Sequence, residues 1–67
     1  MSSNKPLRAL ISLYDYHSSN DSELSFDKNT IIYQLKGNND DWGDGIIYIN
    51  RIEVKRGWFP LSYCNEI

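Results

Sequence analysis

The chain lacks most of what would staple a small protein or arm it with a reactive centre. It has one cysteine, Cys64, and one histidine, His17, in 67 residues. A lone thiol excludes an intrachain disulfide, and without a Cys/His cluster there is no metal-ligand pattern. Such cysteine usage suits a reducing, cytoplasmic setting. No apolar run approaches the roughly 20 residues of a membrane-spanning helix, and no signal-peptide pattern opens the sequence. A soluble domain without membrane insertion is therefore expected. Positive charge is sparse as well: seven Lys and Arg stand against nine Asp and Glu, giving a formal charge of −2. The basic residues are scattered, which excludes the clustered positive face that nucleic-acid binding requires. The four glycines open no helix and form no phosphate-cradling loop, so no cofactor is expected. Catalytic machinery is missing too. His17 lies in a polar stretch and reads as solvated, no serine sits in a nucleophile elbow, and Cys64 reads as a small core hydrophobe.

What remains is a single domain with one small core. Residues 1–6 are polar and read as a flexible tail, leaving 7–67 as the folded unit. No segment keeps a helical period. Leu7 to Leu13 leans to strand, and His17 to Glu23 is a Ser/Asn/Asp-rich loop. Leu24 and Phe26 alternate onto one face. Asp27-Lys28-Asn29 reads as a turn in which Asn29 takes positive φ. Thr30 to Leu35 is β-branched and aromatic, and hence a strand. Lys36 to Asp41 is a polar loop. Trp42 opens another strand, Asn50-Arg51 turns, Ile52 to Phe59 returns, and Cys64 to Ile67 closes the chain. Five short strands punctuated by turns predict a small all-β barrel or pair of packed sheets.

The stretch Gly57-Trp58-Phe59-Pro60-Leu61-Ser62-Tyr63 organises the rest. Pro60 has no ladder donor, so it belongs at a strand end. Alternation puts Phe59 inward, with Trp58 and Pro60 on the outer side. Tyr63 follows Pro60 at the spacing of a short 3₁₀ turn, which brings their rings to one side. Rings that merely cover the core would give the same pattern. Two acidic clusters, Asp21 with Glu23 and Asp40-Asp41 with Asp44, would attract a basic partner if they converged on one surface.

Four motifs in order resemble the Src homology 3 (SH3) domain family. Leu13-Tyr14-Asp15-Tyr16 resembles the ALYDY signature, and Glu23-Leu24-Ser25-Phe26 the end of the RT loop. Trp42 is similar to the tryptophan after the n-Src loop. Gly57-Trp58-Phe59-Pro60 with Tyr63 is similar to the family's closing motif. The resemblance runs from about Arg8 to Ile67. It implies a five-stranded barrel of two packed antiparallel sheets, with a 3₁₀ turn before the last strand. It also implies a non-catalytic module that binds proline-rich (PxxP, polyproline II) peptides bearing a basic residue. The ligand face would comprise Tyr14, Tyr16, Trp42, Trp58, Pro60, Ser62 and Tyr63. Two proline slots would form, one between Tyr14 and Tyr63 and one among Tyr63, Trp42 and Pro60. Asp21, Glu23 and Asp41 would serve a basic pocket beside Trp42. Partners would be proline-rich segments of other proteins, with the isolated domain monomeric. The alternative is an SH3 fold that contacts a folded partner, or its own parent protein, without reading PxxP. The long hairpin around Ile49 to Glu53 followed by Arg56-Gly57-Trp58-Phe59-Pro60 resembles the SH3 domains of fungal Ras guanine-nucleotide exchange factors.

The chain departs from the family pattern at Ser12 (for alanine), Gly43 (for a second tryptophan), Ser62 (for asparagine) and Gln34 (for an aliphatic residue). Family spacing turns Leu10, Ser12, Leu24, Phe26, Ile32, Gln34, Gly45, Phe59 and Cys64 inward. A buried amide without a partner costs roughly 1–3 kcal/mol. Gln34 is therefore expected to bond Ser12 or nearby backbone in the room left by Ser12 and Gly45. The rival expectation is a β-bulge after Ile32 that turns Gln34 out and Leu35 in.

Overall fold

A computed structural model describes residues 6–37, 39–50 and 54–67. The strands are β1 (Arg8–Ser12), β2 (Ile31–Gly37), β3 (Trp42–Tyr48), β4 (Val54–Pro60) and β5 (Cys64–Glu66), with a 3₁₀ turn over Leu61–Tyr63 before the last. They pair in the order β4-β3-β2-β1-β5, and every pairing is antiparallel. Asn29 takes φ 68° in the turn before β2, as expected. The long hairpin is antiparallel out to the Tyr48–Val54 pair. Of the hairpin expected around Ile49 to Glu53, residues 51–53 lie outside the described residues, as do residues 1–5 of the expected tail.

Alternation builds the core. Leu10, Leu24, Phe26, Ile32, Ile47 and Phe59 form one buried cluster, with Tyr16, Leu61, Tyr63 and Cys64 packed against it. Phe59 and Ile32 are completely enclosed, because β3 offers glycine where they need room. A Cβ at Gly45 would lie 2.6 Å from the Phe59 ring and 2.9 Å from Ile32. Both ends of the sheet feed this cluster, so the sheet wraps around it.

Ser12 and Gln34 are both buried, as expected, but they do not bond each other. Ser12 Oγ donates to the Asp27 carbonyl at 2.7 Å and accepts the Thr30 N–H at 2.8 Å. The serine that replaces the family's alanine thus fastens the turn before β2. Gln34 Oε1 instead accepts from Arg8 Nε at 2.7 Å, across the β1–β2 pair. Its Nε2 fills the space over Gly43, 3.1 Å from where a Cβ would be. The bulge exists, but it falls between Gln34 and Lys36, one step too late to turn Gln34 outward. Arg8 is partly exposed and also reaches Glu66 at 3.4 Å, so water can replace the amide. Gln34→Leu should therefore stay within about 1 kcal/mol of wild type in urea titrations. Gln34→Ala should lose roughly 2 kcal/mol to the cavity it leaves. Equal losses in both variants would mean that the amide bond, not the volume, matters.

Cys64 sits opposite Ser12 in the β1–β5 pair and is half-buried against the core. Burial pushes its thiol from 9.0 up to about 11. The folded state thus holds a proton that the unfolded state releases. Stability from this group is complete below about pH 9 and is lost as pH rises toward 11. The Tyr16 hydroxyl, raised chiefly by its hydrogen bond to Glu23 and then by burial, acts in the same direction. Denaturant midpoints should hold steady from neutrality up to about pH 9 and then fall, less steeply in Cys64→Ala. An identical fall in that variant would clear the thiol of responsibility.

Candidate functional site

Four aromatic side chains from three parts of the chain form a row on the surface. Tyr14 and Tyr16 come from the segment after β1, Trp42 from the start of β3 and Tyr63 from the 3₁₀ turn. Tyr14 meets Tyr63 edge-on with centroids 5.5 Å apart. Tyr63 meets Tyr16 at 5.4 Å, and Tyr16 meets Trp42 at 6.5 Å. Edge-to-face packing is the favoured geometry for such rings. Tyr16 stands between Tyr63 and Trp42, beside the residues expected at the second slot.

The backbone fixes each wall. Tyr16 and Phe26 exchange N–H···O bonds of 2.8 and 2.7 Å, closing the base of the long β1–β2 loop. The Leu13 N–H donates to the Tyr63 carbonyl at 2.6 Å, tying that loop to the 3₁₀ turn. Asn39 Oδ1 accepts the N–H groups of Asp41 and Trp42 at 2.8 and 2.9 Å, an Asx cap that starts β3 at the tryptophan. Trp42 stands opposite Pro60 across β3 and β4. Pro60 is on the expected strand end but is buried, whereas Ser62 is exposed. Pro60 is therefore not open on the outer side of the strand as alternation predicted.

Beyond Trp42 the row opens into a cleft of about 250 Å³ lined by Asn20, Ser22, Glu23, Trp42 and Trp58. Glu23 is held there twice. Its segment docks on β4, with Leu24 N–H donating to the Trp58 carbonyl at 2.7 Å and Trp58 N–H donating to the Ser22 carbonyl at 3.0 Å. Its carboxylate accepts a hydrogen bond from the Tyr16 hydroxyl. A carboxylate between two indoles can take a cation by charge and by stacking together.

The three acidic residues expected at this cleft separate. Glu23 lines it, Asp21 lines a neighbouring cleft, and Asp41 lines neither. Asp41 contributes through backbone instead, its carbonyl accepting the Leu61 N–H at 2.9 Å. Asp44, expected in the same acidic loop, is buried on β3 and paired to Arg56 Nη2 at 2.7 Å. Strand β3 begins at Trp42, so Asp44 is two positions inside it and faces β4. Asn20 and Ser22 are cleft residues that the sequence did not flag beyond a polar loop. His17, read as solvated, is exposed and lies 2.9 Å from Asp27.

The SH3 domain family model matches residues 11–61. The chain is 33% identical over 63 residues to Cell division control protein 25 of Candida albicans, covering 94% of this chain and 5% of that protein. It is 36% identical over 62 residues to Protein BZZ1 of Saccharomyces cerevisiae, covering 92% and 9%. The C-terminal SH3 domain of myosin IB from Entamoeba histolytica, bound to EhFP10(GEF) peptide, superposes with a TM-score of 0.75 at 33% identity, over 98% of this chain and 88% of that one. The Acanthamoeba myosin I SH3 domain bound to Acan125 gives 0.74 at 31% identity, over 92% and 98%. The chain belongs to the SH3 domain family of non-catalytic protein-interaction modules. It spans 5% and 9% of the length of the two curated relatives. Among the described residues, no helix is long and apolar enough to cross a membrane.

Proposed function

We propose that this domain captures proline-rich segments of other proteins in polyproline II form, seating a basic ligand residue at Glu23. The observation that carries this reading is the continuous row Tyr14–Tyr63–Tyr16–Trp42 running into the acidic, indole-walled cleft. A polyproline II helix has no internal hydrogen bonds and is extended when free, so binding it costs little ordering entropy. Its three-residue turn makes ridges that fit between upright rings, and the tyrosine hydroxyls and indole N–H can bond its carbonyls. The myosin IB neighbour bound to EhFP10(GEF) peptide and the myosin I neighbour bound to Acan125 support a ligand-binding use of the domain. The folded unit runs from Leu7 to Ile67, whose N–H groups are tied to Gln34 and Ala9. The match to the Candida protein supports a parent of the Ras exchange-factor type, acting in the cytoplasm of a fungal cell.

The test is a titration with synthetic peptides sharing a Pro-x-x-Pro core and carrying Arg at one end, the other end or neither. Arg-bearing peptides should bind tighter than the Arg-free one, with modest weakening as salt rises, since few charges take part. In Glu23→Lys that preference should vanish or invert. A preference unchanged by the reversal would remove Glu23 from the site. Silence from every peptide would favour contact with a folded partner instead.

A further inference from the structure

Next to the Trp42 cleft, on the far side of Glu23, lies a larger one of about 390 Å³. The two share Asn20 and Glu23, so they are direct neighbours along one side of the loop. The long loop walls the second cleft on one side, with Asp21 at its rim. Lys55 and Arg56 of β4 wall the other. We propose that this second cleft is a ligand subsite for an acidic side chain, placed beyond the basic residue that occupies the first. This inference rests on the peptide-binding reading above.

The partners already made inside the cleft decide which groups are left to a ligand. The neutral polar groups of the loop are used internally. Ser25 Oγ bonds the Ser18 backbone, Ser18 Oγ accepts the Asn20 N–H, and Asn20 Oδ1 accepts from Ser22 twice. Glu23 has its tyrosine. Arg56 spends Nε and Nη2 on Asp44, which holds the guanidinium against the strand; among the described residues its Nη1 makes no hydrogen bond and can donate. Lys55 is exposed and, among the described residues, makes no ion pair. Asp21 is exposed and unpaired in the same sense. Opposite charges thus face each other without closing a salt bridge, and the gap between them is open. A carboxylate on the β4 wall would meet the Lys55 ammonium and the free edge of Arg56. Asp21 and Glu23, on the loop wall, favour keeping the ligand's cation on their side. The two neighbouring clefts therefore read a basic residue followed, away from the prolines, by an acidic one.

Two synthetic peptides test this directly. Both carry the Pro-x-x-Pro core and the preferred arginine; one continues with three glutamates past the arginine and the other with three alanines. Binding is followed by tryptophan fluorescence with wild type and with Lys55→Glu, whose folding is checked by thermal melting. An exposed pair gains about 0.2–1 kcal/mol, so the glutamate peptide should bind wild type up to about fivefold tighter. In Lys55→Glu the order of the two peptides should reverse. Equal affinities in wild type, or an order that ignores the Lys55 reversal, would overturn the subsite while leaving the groove standing. Failure of both peptides to bind wild type would remove the groove and the subsite together.

Discussion

Gly57→Ala should be among the most damaging single changes to this domain, in both stability and binding. The added Cβ would lie 2.9 Å from the Glu23 carbonyl carbon, the Leu24 nitrogen and the Ser22 oxygen. These are backbone atoms, so no side chain can rotate away. The loop must lift, and it is held there by the two bonds between Trp58 and the Ser22–Leu24 segment. Overpacking a tight site costs about 1–3 kcal/mol, and the upper end applies where two hydrogen bonds also suffer. For a domain of this size that lowers Tm by roughly 10–20 °C. Gly45→Ala is the informative companion. Its Cβ would press on the Phe59 and Ile32 side chains, so it should cost comparable stability without displacing Glu23. At a temperature where both variants are folded, only Gly57→Ala should lose preference for Arg-bearing peptides. Matching peptide affinities in the two variants would show that the loop does not need its seat on β4.

Trp42→Ala should remove peptide binding while leaving the domain folded. The indole is half-buried and closes the aromatic row at Tyr16 while lining the acidic cleft. One side chain therefore serves a proline slot and the basic pocket. Aromatic anchors at such central positions cost about 2 kcal/mol or more on truncation, or about thirtyfold in Kd. The fold should survive because Trp42 is not part of the buried cluster and its N–H bond to Asn39 is made by backbone. Wild-type affinity in Trp42→Ala would move the binding surface elsewhere. Loss of the thermal transition would mean that the indole is a structural wedge instead.

Local pattern explains why much of this was legible in the sequence. Leu24 and Phe26 alternate, Pro60 must end a strand, and Asn29 tolerates positive φ. Each of these is decided by a residue and its immediate neighbours, and each holds in the structure. The aromatic row was reached through motif resemblance, and its ring contacts follow from where β1, β3 and the 3₁₀ turn meet. What stayed hidden depends on distant partners. Asp44 looks like a loop acid until Arg56, twelve positions later, is seen to pair with it. Gln34 was placed inward correctly, but its partner Arg8 lies on another strand. Likewise, nothing local separates Asp21 from Glu23. Only the docking of the loop on β4 brings Glu23, and not Asp21, to the cleft beside Trp42.

The pairing of β1 with β5 also governs how the domain answers a pull. Leu10 faces Glu66 and Ser12 faces Cys64, so the start of β1 lies beside the end of β5. Tension applied through the two ends loads the bond from the Ile67 N–H to the Ala9 carbonyl before any other in that pair. The hydrogen bonds then open one at a time, like a zipper, and never share the load in shear. A domain joined to its neighbours in this way is mechanically soft along that axis, however firmly its core is packed.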